Sequence, residues 1–182
     1  MKILFCSGNK LKLSVAIAAM LLFALLASAL LPHGWIAASG QQERLVPIYE
    51  VATKEPKVAI SFDASWGAEH TRDILDTLDK YNVKATFFLV NIWLEDYPEL
   101  AQEIVQRGHE IGLHTATHPH LPELSEDKIL SELTDNCEMI KEITGYTPTL
   151  FRPPFGDYSN SVIEVASANG YDTIQWSVDT MV

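Results

Sequence analysis

Gly108-His109-Glu110-Ile111-Gly112-Leu113-His114-Thr115-Ala116-Thr117-His118 is the stretch from which the architecture of this chain is read. Pro98 opens a predicted helix that runs to Arg107, and Gly108 stops it. Glu110–Leu113 follows at once as a short strand, too closely bounded for a second helix. The strand then delivers two histidines four residues apart. A helix that turns directly into a strand ending in polar side chains is one unit of an α/β fold.

The same alternation extends in both directions. Upstream, Val58–Phe62 reads as a buried strand, Thr71–Tyr81 as a helix with Ile74, Leu75, Leu78 and Tyr81 on one face, and Ala85–Val90 as a second strand. Downstream, Ser125 is the predicted N-cap of a helix that runs to Thr144, with Glu126 and Asp127 in its first turn and Gly145 closing it. Leu150–Arg152 is a strand, Ser159–Asn169 a helix closed by Gly170, and Thr173–Val178 a fifth strand. Strand and helix alternating in this way imply parallel strands with right-handed crossovers. Chemistry in such folds gathers at the C-terminal ends of the strands, where Asp63, His114, Arg152 and Asp179 all stand.

The residue types suit a hydrolytic site. Two imidazoles four residues apart can turn onto one divalent metal, a strand-end carboxylate can act as general base, and a guanidinium can orient it. Each also has a plainer reading. His114 and His118 are compatible with polar loop residues, Asp63 with a helix cap, and Arg152 with a purely structural ion pair. Trp66, Trp93 and Trp176 suit core packing first and sugar stacking second. Cys137 falls on the apolar stripe Ile129, Leu130, Leu133, Cys137, Ile140 and reads as a core thiol.

Outside this domain the chain changes character. Leu13 to Leu31 is apolar except for Ser14 and Ser28, a run of 19 residues preceded by Lys2, Lys10 and Lys12 with no acid nearby. That length matches the roughly 20 residues that span a bilayer. Residues 13–31 therefore read as a retained membrane anchor or, with Ala27-Ser28-Ala29 as cleavage site, as a signal peptide. Residues 1–12 are the basic cytoplasmic end, 32–56 a linker, and 57–182 the exported, extracytoplasmic domain. Residues 41–182 carry ten basic against 24 acidic groups, a balance of −14, which disfavours a nucleic-acid partner. A neutral substrate, or one that becomes cationic such as an amino sugar, tolerates that charge. Cys6 and Cys137 lie on opposite sides of the apolar run, so the exported domain has no disulfide of its own.

Taken in order, Ser61-Phe62-Asp63, Gly108 to Pro119, Arg152-Pro153-Pro154-Phe155-Gly156 and Gln175-Trp176-Ser177-Val178-Asp179 resemble the successive motifs of the polysaccharide deacetylases with a NodB-homology domain, carbohydrate esterase family 4. Trp66-Gly67 resembles the sporulation-associated branch. The resemblance implies a distorted (β/α) barrel and metal-dependent removal of acetyl groups from N-acetylated glycans such as peptidoglycan or chitin-like oligomers. It implies His114 and His118 as metal ligands, for zinc or else cobalt or nickel. It further implies Asp63 as general base, Arg152 as the residue that orients it, and Phe155 and Asp179 in substrate binding, with the backbone amide around Phe155 facing the oxyanion.

Two departures qualify it. The family's third metal ligand, an aspartate, is here Ala64, so metal affinity is expected to fall unless water or a nearby carboxylate such as Glu69 takes that place. Beyond Asp179 the Asp-Trp pair and the later histidine that acts as general acid have no counterpart, so the barrel is expected to be incomplete at its C-terminal side, in a fragment or a truncated product. A non-catalytic carbohydrate-binding or envelope-assembly protein is the competing reading.

Overall fold

The computed structural model describes residue 12, residues 15–23 and residues 43–180. The chain divides into two units, residues 1–43 and 44–182. In the first, residues 15–23 form a helix, α1, whose Val15, Met20, Leu21, Leu22 and Phe23 are exposed. No helix among the described residues is long and apolar enough to cross a membrane. The rest of the expected span, residues 13–14 and 24–31, lies outside the described residues, as do residues 1–11 and 32–42.

The second unit is α/β. Its elements are β1 (Ser61–Ala64), α2 (Thr71–Lys80), β2 (Thr86–Leu89), α3 (Asn91–Asp96), α4 (Pro98–Gln106), β3 (Glu110–Leu113), α5 (Glu126–Thr144), β4 (Leu150–Phe151), α6 (Asn160–Ala168) and β5 (Asp172–Thr173). All strand pairs are parallel and the sheet order is β1-β2-β3-β4-β5. Strands in sequence order with helical crossovers are the arrangement of a (β/α) barrel wall. β3 and α5 have the predicted limits, and Gly145 closes α5 in the left-handed region at φ 70°. Ser125 occupies the N-cap position of α5 without a side-chain cap bond, whereas Ser159 of α6 accepts from the Val162 N–H.

Three sequence expectations need correction. β1 begins three residues later than predicted, leaving Val58 89% exposed. The fifth strand ends at Thr173 rather than Val178, because the Gln175 N–H turns to Ile48 O at 2.9 Å and the chain then bends at Ser177–Val178. Ile48 forms a parallel bridge with Ile174, so part of the expected linker lies against the sheet edge. α3 was not predicted: Asn91-Ile92-Trp93-Leu94 is too short to show a helical period, yet Trp93 and Leu94 are buried.

The two faces of the sheet are divided by strand alternation. Phe87 and Leu89 of β2 and Ile111 and Leu113 of β3 join Leu75, Ile104, Ile129, Leu133 and Ile140 of the helices in one apolar core. The opposite face holds a row in register, Asp63 with Phe88 and Phe88 with Gly112. A Cβ on Gly112 would lie 2.4 Å from the Phe88 ring, so only glycine leaves the space that ring fills. This row carries the site.

Candidate active site

Arg152 leaves β4 and lies across the row just described. Its guanidinium stacks on the Phe88 ring at 4.1 Å, approaches Trp176 at 5.7 Å, and reaches the Asp63 carboxylate at 2.6 Å, Nη1 donating to Oδ1. The Arg152 side chain is 5% exposed and that of Asp63 32%. The cation is thus sunk in aromatic packing while the carboxylate keeps one side toward solvent. Such a charge-assisted bond fixes the direction of the carboxylate.

His114 leaves β3 beside it. Its imidazole is 2% exposed, and burial pushes its pKa down to about 4. Nδ1 lies 2.8 Å from Arg152 O, a carbonyl that can only accept. The neutral ring therefore carries its proton on Nδ1 and leaves Nε2 as the lone-pair nitrogen. His118 follows with its ring centroid 5.0 Å from that of His114, and burial also lowers its pKa. Both rings stay neutral at pH 7, the form a metal requires.

The loop between them is strained. Thr115 has φ 72° and His118 φ 59°, left-handed values costing about 1–3 kcal/mol each for such residues. Helix α5 holds this geometry from two positions one turn apart. Asn136 Oδ1 accepts from the His114 N–H at 3.0 Å, while its Nδ2 donates to Leu89 O and Asn91 Oδ1. Glu132 accepts from the Thr117 N–H and hydroxyl at 2.8 and 2.7 Å, and its backbone carbonyl accepts from the Ala116 N–H. The Thr115 hydroxyl accepts from the His118 N–H at 3.0 Å. Sequence reading missed Asn136 and Glu132. The signal in the sequence is an asparagine set among the apolar stripe Leu133, Cys137 and Ile140; the structure shows it fully buried.

Phe155 sits in the turn Pro154–Gly156 at φ 59°, its ring 59% exposed. The ring meets His118 edge-on at 4.6 Å and stacks on His120 at 4.3 Å. Gly156 also has φ 67°, and a Cβ there would lie 2.7 Å from Gln175 Nε2 and 2.9 Å from the Trp176 ring. Trp93 is core, with Nε1 donating to Gly67 O, whereas Trp66 is 69% exposed beside His118. Asp179 is exposed beyond the bend that follows β5, away from the strand end expected for it.

Two of the three ligand positions that the family resemblance implies, His114 and His118, hold imidazoles that meet in space. Ala64 supplies a methyl group and lines a cleft of about 200 Å³ together with Asp63, Trp66, Glu69 and Trp93. Glu69 does not substitute: its Oε2 lies over Gly67, 2.6 Å from where a Cβ would stand. Among the described residues no three of His, Cys, Asp and Glu come together as a metal site. A complete three-ligand protein site is therefore not what these residues form.

A parallel α/β domain with a carboxylate–guanidinium pair and an imidazole pair over its strand ends belongs to the class that places its chemistry on strand-end loops. The chain is a member of the polysaccharide deacetylase family, whose sequence model matches residues 50–174. It is 33% identical over 150 residues to a peptidoglycan-N-acetylglucosamine deacetylase of Bacillus cereus, covering 82% of this chain and 52% of that protein. Among solved structures it resembles a CE4 family pseudoenzyme from Bacillus anthracis, BA3943, at 35% identity and TM-score 0.72, over 75% of this chain and 48% of that one. A BA3943 mutant with restored enzymatic activity is 37% identical, with TM-score 0.72 over 75% of this chain and 50% of that one. The chain spans about half the length of the curated relatives it matches.

Proposed function

We propose that this chain serves the hydrolysis of N-acetyl groups on a cell-wall glycan of the peptidoglycan type. The observation that carries the reading is the Arg152–Asp63 pair at 2.6 Å, a carboxylate aimed by a buried guanidinium next to two neutral imidazoles. In this reading water attacks the amide carbonyl carbon and Asp63 takes its proton. The C–N bond then breaks, acetate leaves, and the freed amine takes up a proton. The backbone amide around Phe155 is assigned to the developing oxyanion, and Asp179 to the glycan. The relatives' names support an N-acetylated glycan as substrate.

A divalent metal, zinc before cobalt or nickel, is assigned to His114 and His118 as a weakly held ion. When bound, such an ion lowers the pKa of its water and polarises the carbonyl. The domain is placed outside the cytoplasm, tethered or secreted through residues 13–31, and Trp66-Gly67 supports the sporulation-associated branch.

The second reading, glycan binding without turnover, is favoured by Ala64 and by the likeness to a pseudoenzyme. Acetate release from N-acetylated glycan oligomers, measured on the full chain with zinc added and with zinc chelated, separates the two. Turnover that falls about 100-fold or more in Asp63→Asn supports the enzyme. Binding without acetate release under zinc, cobalt or nickel overturns it in favour of the second reading.

A further inference from the structure

The Arg152 guanidinium donates from Nη1 to Asp63, while its Nε is buried without a hydrogen-bond partner among the described residues. A hydrogen bond at one corner leaves a planar group free to tilt, and the ring contacts with Phe88 at 4.1 Å and Trp176 at 5.7 Å limit that tilt. The two rings are secured differently. Phe88 belongs to β2 and fills the space that Gly112 leaves. Trp176 lies past the end of β5, and the chain bends directly after it at residues 177–178.

The backbone before Trp176 is fixed from the start of the domain. The Ile174 N–H donates to Phe151 O of β4 at 2.7 Å, but its neighbours turn the other way: Thr173 O accepts from the Ile48 N–H at 2.8 Å, and the Gln175 N–H donates to Ile48 O at 2.9 Å. Ile48 therefore occupies the edge of β5 opposite β4 and anchors the residue next to Trp176. Residues 44–49 are stapled in turn to the segment that leads from the Phe155 turn into α6. The Leu45 N–H donates to Asn160 Oδ1 at 3.0 Å, Arg44 stands over the Tyr158 ring at 6.0 Å, the Tyr49 hydroxyl donates to that of Tyr158 at 3.4 Å, and Pro47 is buried. From the other side Gly156 lets Gln175 and Trp176 close in, since a Cβ there would lie 2.7 Å from Gln175 Nε2 and 2.9 Å from the Trp176 ring.

We propose that residues 44–49 form a strap that sets Trp176 against Arg152, with Ile48 as a positioning residue for the Asp63–Arg152 pair; its effect on turnover rests on the hydrolytic reading of the site. Ile48 acts through Gln175 and Trp176. The test compares the full chain with Ile48→Pro, which removes the N–H that Thr173 O accepts, and with Ile48→Val, which keeps it. Amide exchange by NMR reads the strap. Trp176 emission, isolated by difference against the same chains carrying Trp176→Phe, reads the ring. Acetate release from N-acetylated glycan oligomers with zinc reads the site. In Ile48→Pro the Gln175 N–H is expected to exchange about 10-fold faster, while the Ile174 N–H, paired with β4, stays within about 2-fold. Trp176 emission moves to the red, and kcat falls about 10- to 100-fold with KM within about 3-fold. Ile48→Val restores all three. Arg44→Ala combined with Asn160→Ala loosens the strap without touching the sheet; it should move the same readings in the same direction, and it decides the matter where Ile48→Pro does not fold. Unchanged exchange at Gln175 overturns the strap. Faster exchange with unmoved Trp176 emission overturns its hold on the ring, and a red shift with unchanged kcat overturns positioning of the pair. No acetate release by the parent overturns the hydrolytic reading alone, and the strap then stands or falls on exchange and emission.

Discussion

Acidification is expected to destabilise this domain through His114. Its imidazole is 2% exposed, and burial holds its pKa at about 4 against 6.5 in an unfolded chain. Between those two values the unfolded chain binds a proton that the folded domain refuses. Stability is therefore fully kept above pH 6.5, falls as the pH drops, and stops falling on this account below about pH 4. A gap of about 2.5 pH units, at about 1.4 kcal/mol per unit, amounts to about 3 kcal/mol, a large share of the stability of an ordinary domain. His109 and His118, both lowered chiefly by burial, act in the same direction.

His114→Asn isolates the one ring. Its amide can still donate to Arg152 O in place of Nδ1, so the ionisation is removed while the hydrogen bond is kept. Urea denaturation of parent and variant at pH 7.5 and pH 4.5, both with chelator, gives four free energies. The parent should lose about 2–3 kcal/mol more than His114→Asn between the two pH values, even if the variant starts lower at pH 7.5. Equal losses would refute burial of a neutral His114 as the cause.

Ala64→Asp is expected to tighten zinc binding about 100-fold by direct titration, since it adds a carboxylate at the edge of an open cleft; unchanged affinity would mean that position 64 does not reach the imidazoles. Gly112→Ala forces a Cβ into the Phe88 ring, which carries Arg152, and should cost about 1–3 kcal/mol in denaturation and lower any acetate release; wild-type stability would show that the row tolerates the extra atom. Glu132→Ala frees the Thr117 N–H and hydroxyl and should weaken zinc binding about 10-fold or more while lowering Tm by only a few degrees; a loss of Tm without loss of affinity would make Glu132 merely structural.

Much of the fold was legible because its signals are local. Pro98, Gly108, Ser125 and Gly145 mark helix ends by their own backbone preferences, and α5 falls between the limits they set. The fifth strand was misread because Gln175 to Val178 alternates like a strand, while its backbone partner is Ile48, more than a hundred residues earlier. No periodicity encodes a partner at that distance. The site shows the same division. Asp63, His114 and Arg152 declare themselves by residue type at strand ends, but Phe88 and Gly112 look like ordinary strand residues until register sets them side by side. Asn136 carries a polar group into an apolar stripe, and only the fold shows that it ties the strand-end loops of β2 and β3 to one helix.

The geometry also assigns different weights to the two positions that bear on turnover. Arg152 is buried between Phe88 and Trp176, so removing Asp63 would strand a cation with no carboxylate, at about 3–5 kcal/mol for a fully buried pair and less here because Asp63 is one-third exposed. Asp63 therefore has a structural reason to be present whether or not water is ever activated beside it. Position 64 has no such obligation. Its methyl group borders open space, and a carboxylate there would disturb one partly buried contact with the core. A chain can lose the third metal donor at little cost to its fold while the base and its arginine stay in place. The base and its arginine are thus held by packing as well as by the chemistry assigned to them, and how tightly a metal is held beside them turns on residue 64.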